Sequence, residues 1–225
     1  MAEDPLAAHA DYTLGTLDES SVDADPLVQL RRWLSEAAES GLVAVPNAFV
    51  LGTVDPDGSP SARTVLLRGL GSGDGTGDGP APGLEFFTNR RSHKGVALER
   101  RPEASALFPW YPLQRQLIVV GRVERLTEAE DDAYWAGRPR ASRLASRASR
   151  QSQPVGSRAE LDALVAAEEA ALPPDAEVPR PAHWGGYRIV PRRLELWQGR
   201  AARLHDRLLY RRDANGAWRV IRLQP

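Results

Sequence analysis

Residues 48–70, AFVLGTVDPDGSPSARTVLLRGL, decide the fold. AFVLGTV alternates larger apolar with smaller side chains, the period of a strand with one face in a core, and SARTVLLRGL resumes an extended pattern after it. Between them, DPDGSP places Asp, Pro and Gly as a tight turn uses them. The stretch predicts a β-hairpin. Toward the C-terminus, LEFFT is a short buried strand, and Ser92 opens a helix, SHKGVALERR, that Pro102 stops. SALFPW and QRQLIVVGRVERL add two strands. Thr127 and Glu130 form a capping box for TEAEDDAYWAG, and Ser157 with Glu160 caps a helix running through Leu172. GGYRIVP, RLELWQG and a closing hairpin, LLYRRDANGAWRVIRL around Asn215-Gly216, complete the chain. Toward the N-terminus, Asp25 caps a helix with Pro26 at its first position. Leu27, Leu30, Trp33, Leu34 and Ala37 form its apolar stripe, and Gly41 ends it. The expected fold is mainly β with packed helices: a β-barrel of seven or eight strands in meander-like order, without the βα alternation of a parallel sheet. Residues 1–24 carry six acidic groups and no Lys or Arg, and read as a mobile N-terminal arm before a single domain over 25–225.

Composition narrows the function. The 225 residues are 42% hydrophobic, enough for a sizeable core, and the formal charge of -1 gives no whole-molecule attraction to nucleic acid or membrane. Cysteine is absent, which excludes disulfides, thiolate metal sites and cysteine nucleophiles. No apolar run approaches the roughly 18 to 20 residues of a membrane span, and the N-terminus lacks the pattern of a signal peptide, so a cytoplasmic protein is expected. Of the 29 basic residues only Lys94 is lysine, so an arginine where lysine would serve carries little meaning.

The candidate chemistry is anion binding. WQGRAARLHDRLLYRR, Trp197 to Arg212, turns at Gly199 and then spaces Arg203, His205 and Arg207 by two. An extended backbone would put all three on one face, opposite Leu204 and Asp206, to form an anion site unless the run is a solvated edge strand. Further cations sit with hydroxyls or amides at Arg63–Arg68, Thr88–Lys94, Arg115-Gln116 and Arg150–Ser152. Four histidines, His9, His93, His183 and His205, fall at no ligand spacing, and no metal site is expected. Residues 71–83 have glycines too irregular for a phosphate loop. The arginines of RPRASRLASRASRQS lack the interleaved aromatics of a nucleic-acid stacking platform.

Taken in order, RTVLL, FFTN, SHKG, FPW with RQ, YW with RPR and S, SRQS, HWGGYR, LWQG, RLHDR and RLQP resemble the pyridoxine (pyridoxamine) 5'-phosphate oxidase family, from about Asp25 to Pro225. The resemblance implies an FMN-binding split barrel of Greek-key type, a homodimer in which two subunits build each site, and a C-terminal dimerisation and substrate segment over about 183–225. FMN would be held by Arg63, Thr64, Val65, Leu66, Leu67, Arg68, Phe87, Thr88, His93, Lys94, Gln116, Gln151, Ser152, Trp197 and Arg207. Substrate would meet Arg68, Tyr134, Arg138, Ser142, Arg203, Leu204 and His205, with Tyr12 as a lid. Steps of four on one helix would bring Tyr134, Arg138 and Ser142 to a single phosphate. Arg203 and His205 carry the catalytic assignment, lying against the pyridine ring.

The implied reaction oxidises the 4' carbon of pyridoxine or pyridoxamine 5'-phosphate. Electrons pass to FMN and then to oxygen, giving pyridoxal 5'-phosphate and peroxide. The chain departs from the family pattern at Arg68 for lysine, His93 for arginine, Phe87 for an aromatic with a hydroxyl, Arg147 for tryptophan, and His9 for the arginine partner of Tyr12. A related flavin oxidase acting on another reduced ring, as in phenazine synthesis, would lack most of the Tyr134, Arg138 and Ser142 trio. A flavin- or pyridoxal-phosphate-binding protein without turnover is the remaining alternative.

Overall fold

The computed structural model describes residues 11–71 and 81–225; His9 and most of the glycine-rich loop, 72–80, lie outside them. Its helices are α1 (Pro26–Glu39), α2 (His93–Arg100), α3 (Glu128–Ala136), α4 (Arg140–Ala148) and α5 (Arg158–Ala170). Its strands are β1 (Ala48–Val54), β2 (Pro60–Leu66), β3 (Gly69–Leu70), β4 (Leu84–Asn89), β5 (Glu103–Trp110), β6 (Arg115–Arg125), β7 (Trp184–Gln198), β8 (Asp206–Arg212) and β9 (Trp218–Leu223). They form one sheet in the order β2-β1-β5-β6-β7-β4-β3, with β8 on β7 and β9 on β8. The mainly β expectation holds, with two corrections. The order is not a meander, because β1 neighbours β5 and β4 neighbours β7. There are nine strands among the described residues: GGYRIVP and RLELWQG are one 15-residue strand, and β3 is a two-residue addition that has no sequence period to betray it. No helix among the described residues is long and apolar enough to cross a membrane.

Two compact units interleave along the chain, one from residues up to Leu51, Ser105–Gly121 and Pro191–Pro225, the other from Gly52–Ala104 and Arg122–Val190. In the first, the Asp25 side chain accepts from Leu27 N at 2.7 Å and starts α1, whose buried face carries Leu30, Trp33 and Ala37. Gly41 follows in the left-handed region (φ 65°), where a helix end favours glycine. Trp33 meets Trp110 edge-on at 6.2 Å, and Phe49 lies 5.2 Å from Phe108. Each such fully buried side chain stabilises the unit by roughly 1.5–3 kcal/mol. The Tyr210 hydroxyl donates to Asp23 O at 2.7 Å, fixing the segment before α1 to β8.

The second unit holds the turn and second strand of the hairpin read from residues 48–70. Asp55 N donates to Ser59 O at 2.8 Å, and Gly58 supplies the positive φ of 93° that this turn requires. β4 runs antiparallel to β7, with Phe87 opposite Gly186 and Asn89 opposite Trp184. Ser92 caps α2, and Thr127 with Glu130 completes the capping box of α3. Trp135, Leu144, Val178 and Trp184 form a buried cluster against which Phe87, Tyr134 and Leu172 pack. Gly186 is dictated by that packing: a Cβ there would come within 2.5 Å of Leu126 and 2.8 Å of the Phe87 ring.

Candidate functional site

A cavity of about 510 Å³ opens in the second unit, lined along β2 by Arg63, Thr64, Val65 and Leu66, then by Arg68, by Phe87, Thr88 and Asn89 of β4, and by Lys94 of α2. Tyr134, Arg138, Ser142, Ala145, Ser146, Ser149, Gln151 and Trp184 close its other side. Twelve of the residues assigned from sequence therefore share one wall system. A second cavity, about 720 Å³, borders it, but of the assigned residues only Gln151 lines that one. Chemistry, not size, picks the candidate.

The lining contains four cations, Arg63, Arg68, Lys94 and Arg138, and neither Asp nor Glu. Neutral groups hold three of these cations. Lys94 Nζ donates to Gln151 Oε1 at 3.1 Å and lies 3.4 Å from both Thr88 Oγ1 and Ser92 Oγ. Arg63 donates through Nη1 to Thr53 Oγ1 at 2.7 Å and through Nη2 to Ser61 Oγ at 2.6 Å. Arg138 donates to Ser146 Oγ at 3.0 Å, with its guanidinium carbon 4.6 Å from the Trp184 ring centre and 5.1 Å from that of Trp135. Burial, then the nearby Arg63, holds the Lys94 ammonium below the usual lysine range. Burial does the same to Arg138; Tyr134 opposes it, and Arg68 and Arg143 add smaller pushes in the direction of burial. Burial disfavours the charged form of these cations, and an anion brought beside them would favour it.

The aromatic wall is a stack of nearly parallel rings. Phe87 stacks on Tyr134 at 3.8 Å with 7° between planes, and on Trp184 at 5.4 Å and 12°. A cationic recess beside such a wall suits a phosphorylated planar ring.

Tyr134, Arg138 and Ser142 do line one cavity, but not from one helix. Tyr134 is in α3, Arg138 in the break after Gly137, and Ser142 in α4. Pro139 is the reason, since the residue before a proline avoids the helical region. His93 takes a different partner from the flavin phosphate implied for it: its Nε2 lies 3.2 Å from Asp55 Oδ2, and it is not among the lining residues. Leu67 is buried in the core, and Ser152 sits exposed in a turn at φ 73°; neither lines the cavity. Ser146, Trp184, Ser61 and Thr53 were not singled out from sequence. Ser146 was discoverable, being four residues beyond Ser142 on the same helical face.

The first unit carries the remaining assigned residues. Trp197 and His205 lie 4.6 Å apart, and Tyr12 meets them edge-on at 5.7 and 5.4 Å. Gly199 makes room for Tyr12, whose ring would stand 2.7 Å from a Cβ there. His205 Nδ1 accepts from Arg200 N at 3.1 Å, which leaves Nε2 as the ring's other functional atom. The extended run expected after Gly199 is instead a 3₁₀ turn, Ala201–Arg203, with φ of 54° at Ala202 and 61° at Arg203. β8 begins only at Asp206, so Arg203, His205 and Arg207 do not share a strand face. Leu204 is exposed beside them, and Gln116 is half-buried in β6. Arg207 donates to Glu195 Oε1 at 2.7 Å and Gln224 O at 3.1 Å.

Fold and site define a class, the split-barrel proteins. A pyridoxamine 5'-phosphate oxidase-related, FMN binding protein from Nostoc punctiforme shares the fold at TM-score 0.69 and 18% identity, over 91% of this chain and all of that one. The chain belongs to the pyridoxine/pyridoxamine 5'-phosphate oxidase family: residues 35–170 match the pyridoxamine 5'-phosphate oxidase family and 184–225 the pyridoxine 5'-phosphate oxidase C-terminal dimerisation region. It is 48% identical to the pyridoxine/pyridoxamine 5'-phosphate oxidase of Thermobifida fusca, over 99% of this chain and 98% of the relative. It is 51% identical to that of Ralstonia pickettii, over 96% of each. PhzG from Burkholderia lata, solved in complex with tetrahydrophenazine-1-carboxylic acid, superposes at TM-score 0.81 with 32% identity, over 93% of this chain and 98% of that one.

Proposed function

We propose that this chain is an FMN-dependent oxidase converting pyridoxine 5'-phosphate or pyridoxamine 5'-phosphate to pyridoxal 5'-phosphate, with O2 reduced to H2O2. The observation that carries this reading is the recess of four cations and no carboxylate beside an aromatic wall, in a chain of this family. Arg63, Lys94, Thr88 and Gln151 hold the FMN phosphate and ring edge, with Thr64–Arg68 and Phe87 along the isoalloxazine and Gln116, Ser152, Trp197 and Arg207 completing the set. When bound, FMN supplies the redox chemistry, taking two electrons from substrate and passing them to oxygen. Tyr134, Arg138 and Ser142 grip the substrate phosphate, and Arg68 lies toward its ring. Arg203 presses its guanidinium plane on the pyridine, His205 hydrogen-bonds a ring substituent, and Leu204 and Tyr12 exclude water. His93 acts on the phosphate site at one remove, through its contact with Asp55.

Residues 25–225 work as one catalytic domain with 1–24 as an arm before it. Two copies pair through the C-terminal region, in keeping with the match to a dimerisation region. The cytoplasm is the proposed location.

The test is oxygen uptake by the yellow, FMN-loaded protein. Pyridoxamine 5'-phosphate should consume oxygen and yield pyridoxal 5'-phosphate; absence of turnover with both phosphorylated vitamers refutes the reading. The likeness to PhzG favours a second reading, oxidation of a reduced tricyclic carboxylic acid. Turnover of tetrahydrophenazine-1-carboxylic acid in place of the vitamers would select it. Arg138→Ala should raise KM for pyridoxamine 5'-phosphate about 10- to 100-fold with kcat within a few fold, because a phosphate handle acts in ground and transition states alike. A kcat loss at unchanged KM would count against that role.

A further inference from the structure

Asp55 is a buried carboxylate that has entered these roles only as the partner of His93. It follows β1 directly, 7% exposed, and Oδ1 accepts from Ser61 Oγ at 2.9 Å while Oδ2 lies 3.2 Å from His93 Nε2. Ser61 Oγ also accepts from Arg63 Nη2 at 2.6 Å and stands 3.2 Å from Thr53 Oγ1, the acceptor for Arg63 Nη1. The protons in this cluster have one consistent arrangement. An ionised carboxylate only accepts, so the single Ser61 proton points at Asp55 and its lone pairs face the guanidinium. Without Asp55, Ser61 is free to turn its proton toward Arg63, where it would meet an N–H.

We infer that Asp55 is a positioning residue for Arg63, accepting the Ser61 proton so that the hydroxyl's lone pairs hold the guanidinium in the cavity. This rests on the FMN reading, since the ligand that Arg63 meets there is the flavin. His93 braces the far side of the same carboxylate, which gives this chain's histidine at that position a part in the site without touching the ligand.

The experiment is a thermodynamic cycle on the full-length apoprotein, titrated with FMN and followed by quenching of flavin fluorescence. Asp55→Ala and Ser61→Ala should each raise Kd about tenfold, the size of a lost hydrogen bond to a charged group. The double variant should bind no more weakly than Ser61→Ala alone, because one relay is broken once. Asp55→Asn, which can offer Oδ1 to Ser61 and its amide to His93, should recover affinity to within about threefold of the parent. An unchanged Kd in Asp55→Ala, a double variant weakened by the product of the two singles, or an asparagine variant as weak as the alanine one would each overturn the inference. Should Asp55→Ala not fold, Ser61→Ala decides, and unchanged FMN affinity there overturns it too. A parent protein that binds no FMN would sink the flavin reading itself, whereas FMN binding indifferent to Asp55 sinks this inference alone.

Discussion

Arg203→Ala should lower turnover of pyridoxamine 5'-phosphate by two to three orders of magnitude while FMN stays bound. The proposed role is orientation, and holding a reacting carbon in line with its acceptor is worth several kcal/mol of barrier. The backbone is consistent with a residue aimed for a purpose. Ala202 and Arg203 both occupy the left-handed region, at φ 54° and 61°, in a turn without glycine, a conformation costing of order 1–3 kcal/mol per residue. Alanine keeps the Cβ and the turn but removes the guanidinium plane. Arg203→Lys separates the two properties of that group: it keeps the charge without the plane, and should recover only a small part of the rate. Steady-state kinetics beside the flavin absorbance of each purified variant make the comparison. Wild-type turnover in the alanine variant would refute the role.

The second large effect is on stability. Asp131, fully buried on α3, accepts from Gly186 N at 2.6 Å through Oδ1 and from Arg90 Nη2 at 2.7 Å through Oδ2, with Arg180 Nη1 3.7 Å away. Burial pushes its carboxyl above the usual range even though Gly186, Arg90 and Arg180 pull it down. Asp131→Ala would leave a backbone N–H and a nearly buried guanidinium facing a dry gap, and Arg90 Nε already has no partner among the described residues. Breaking a buried pair from one side costs about 3–5 kcal/mol, so the denaturant midpoint should fall by that equivalent with the slope unchanged. A loss under about 1 kcal/mol would mean that water or a shifted side chain fills the gap. The consequence reaches the site as well: Gly186 faces Phe87 across β7 and β4, and Asp131 ties that pair to the helix carrying Tyr134. Phosphate-handle KM should therefore rise in any Asp131 variant that still folds.

Local order was legible in the residues themselves. Asp25, Ser92, Thr127 and Ser157 start helices where their side chains can reach the next free amides, and DPDGSP turns where Gly58 supplies a positive φ. Such features are decided within about four residues, so the chain declares them without its fold. The helix break between Tyr134 and Ser142 was equally local, since Pro139 announces it, yet the regular spacing by four masked it. The 3₁₀ turn at Ala201–Arg203 had no such marker: two non-glycine residues at positive φ contradict their own propensities, and only surrounding structure imposes that.

Sequence alone determined that the chain is mainly β, capped and turned where it is, and it pointed through a spaced set of motifs to a phosphate-recognising family. Tertiary structure alone decided which cations share a cavity and what holds them there. Thr88 meets Gln151 across 63 positions, Arg138 leans on Trp184, and His93 finds Asp55 instead of the cavity. The physical reason is range. A cap or a turn is a contact between neighbours, whereas the charge of this cavity depends on Arg63 from β2, Arg68 just after it, Lys94 from α2 and Arg138 from the break between α3 and α4 arriving together without a carboxylate in the lining.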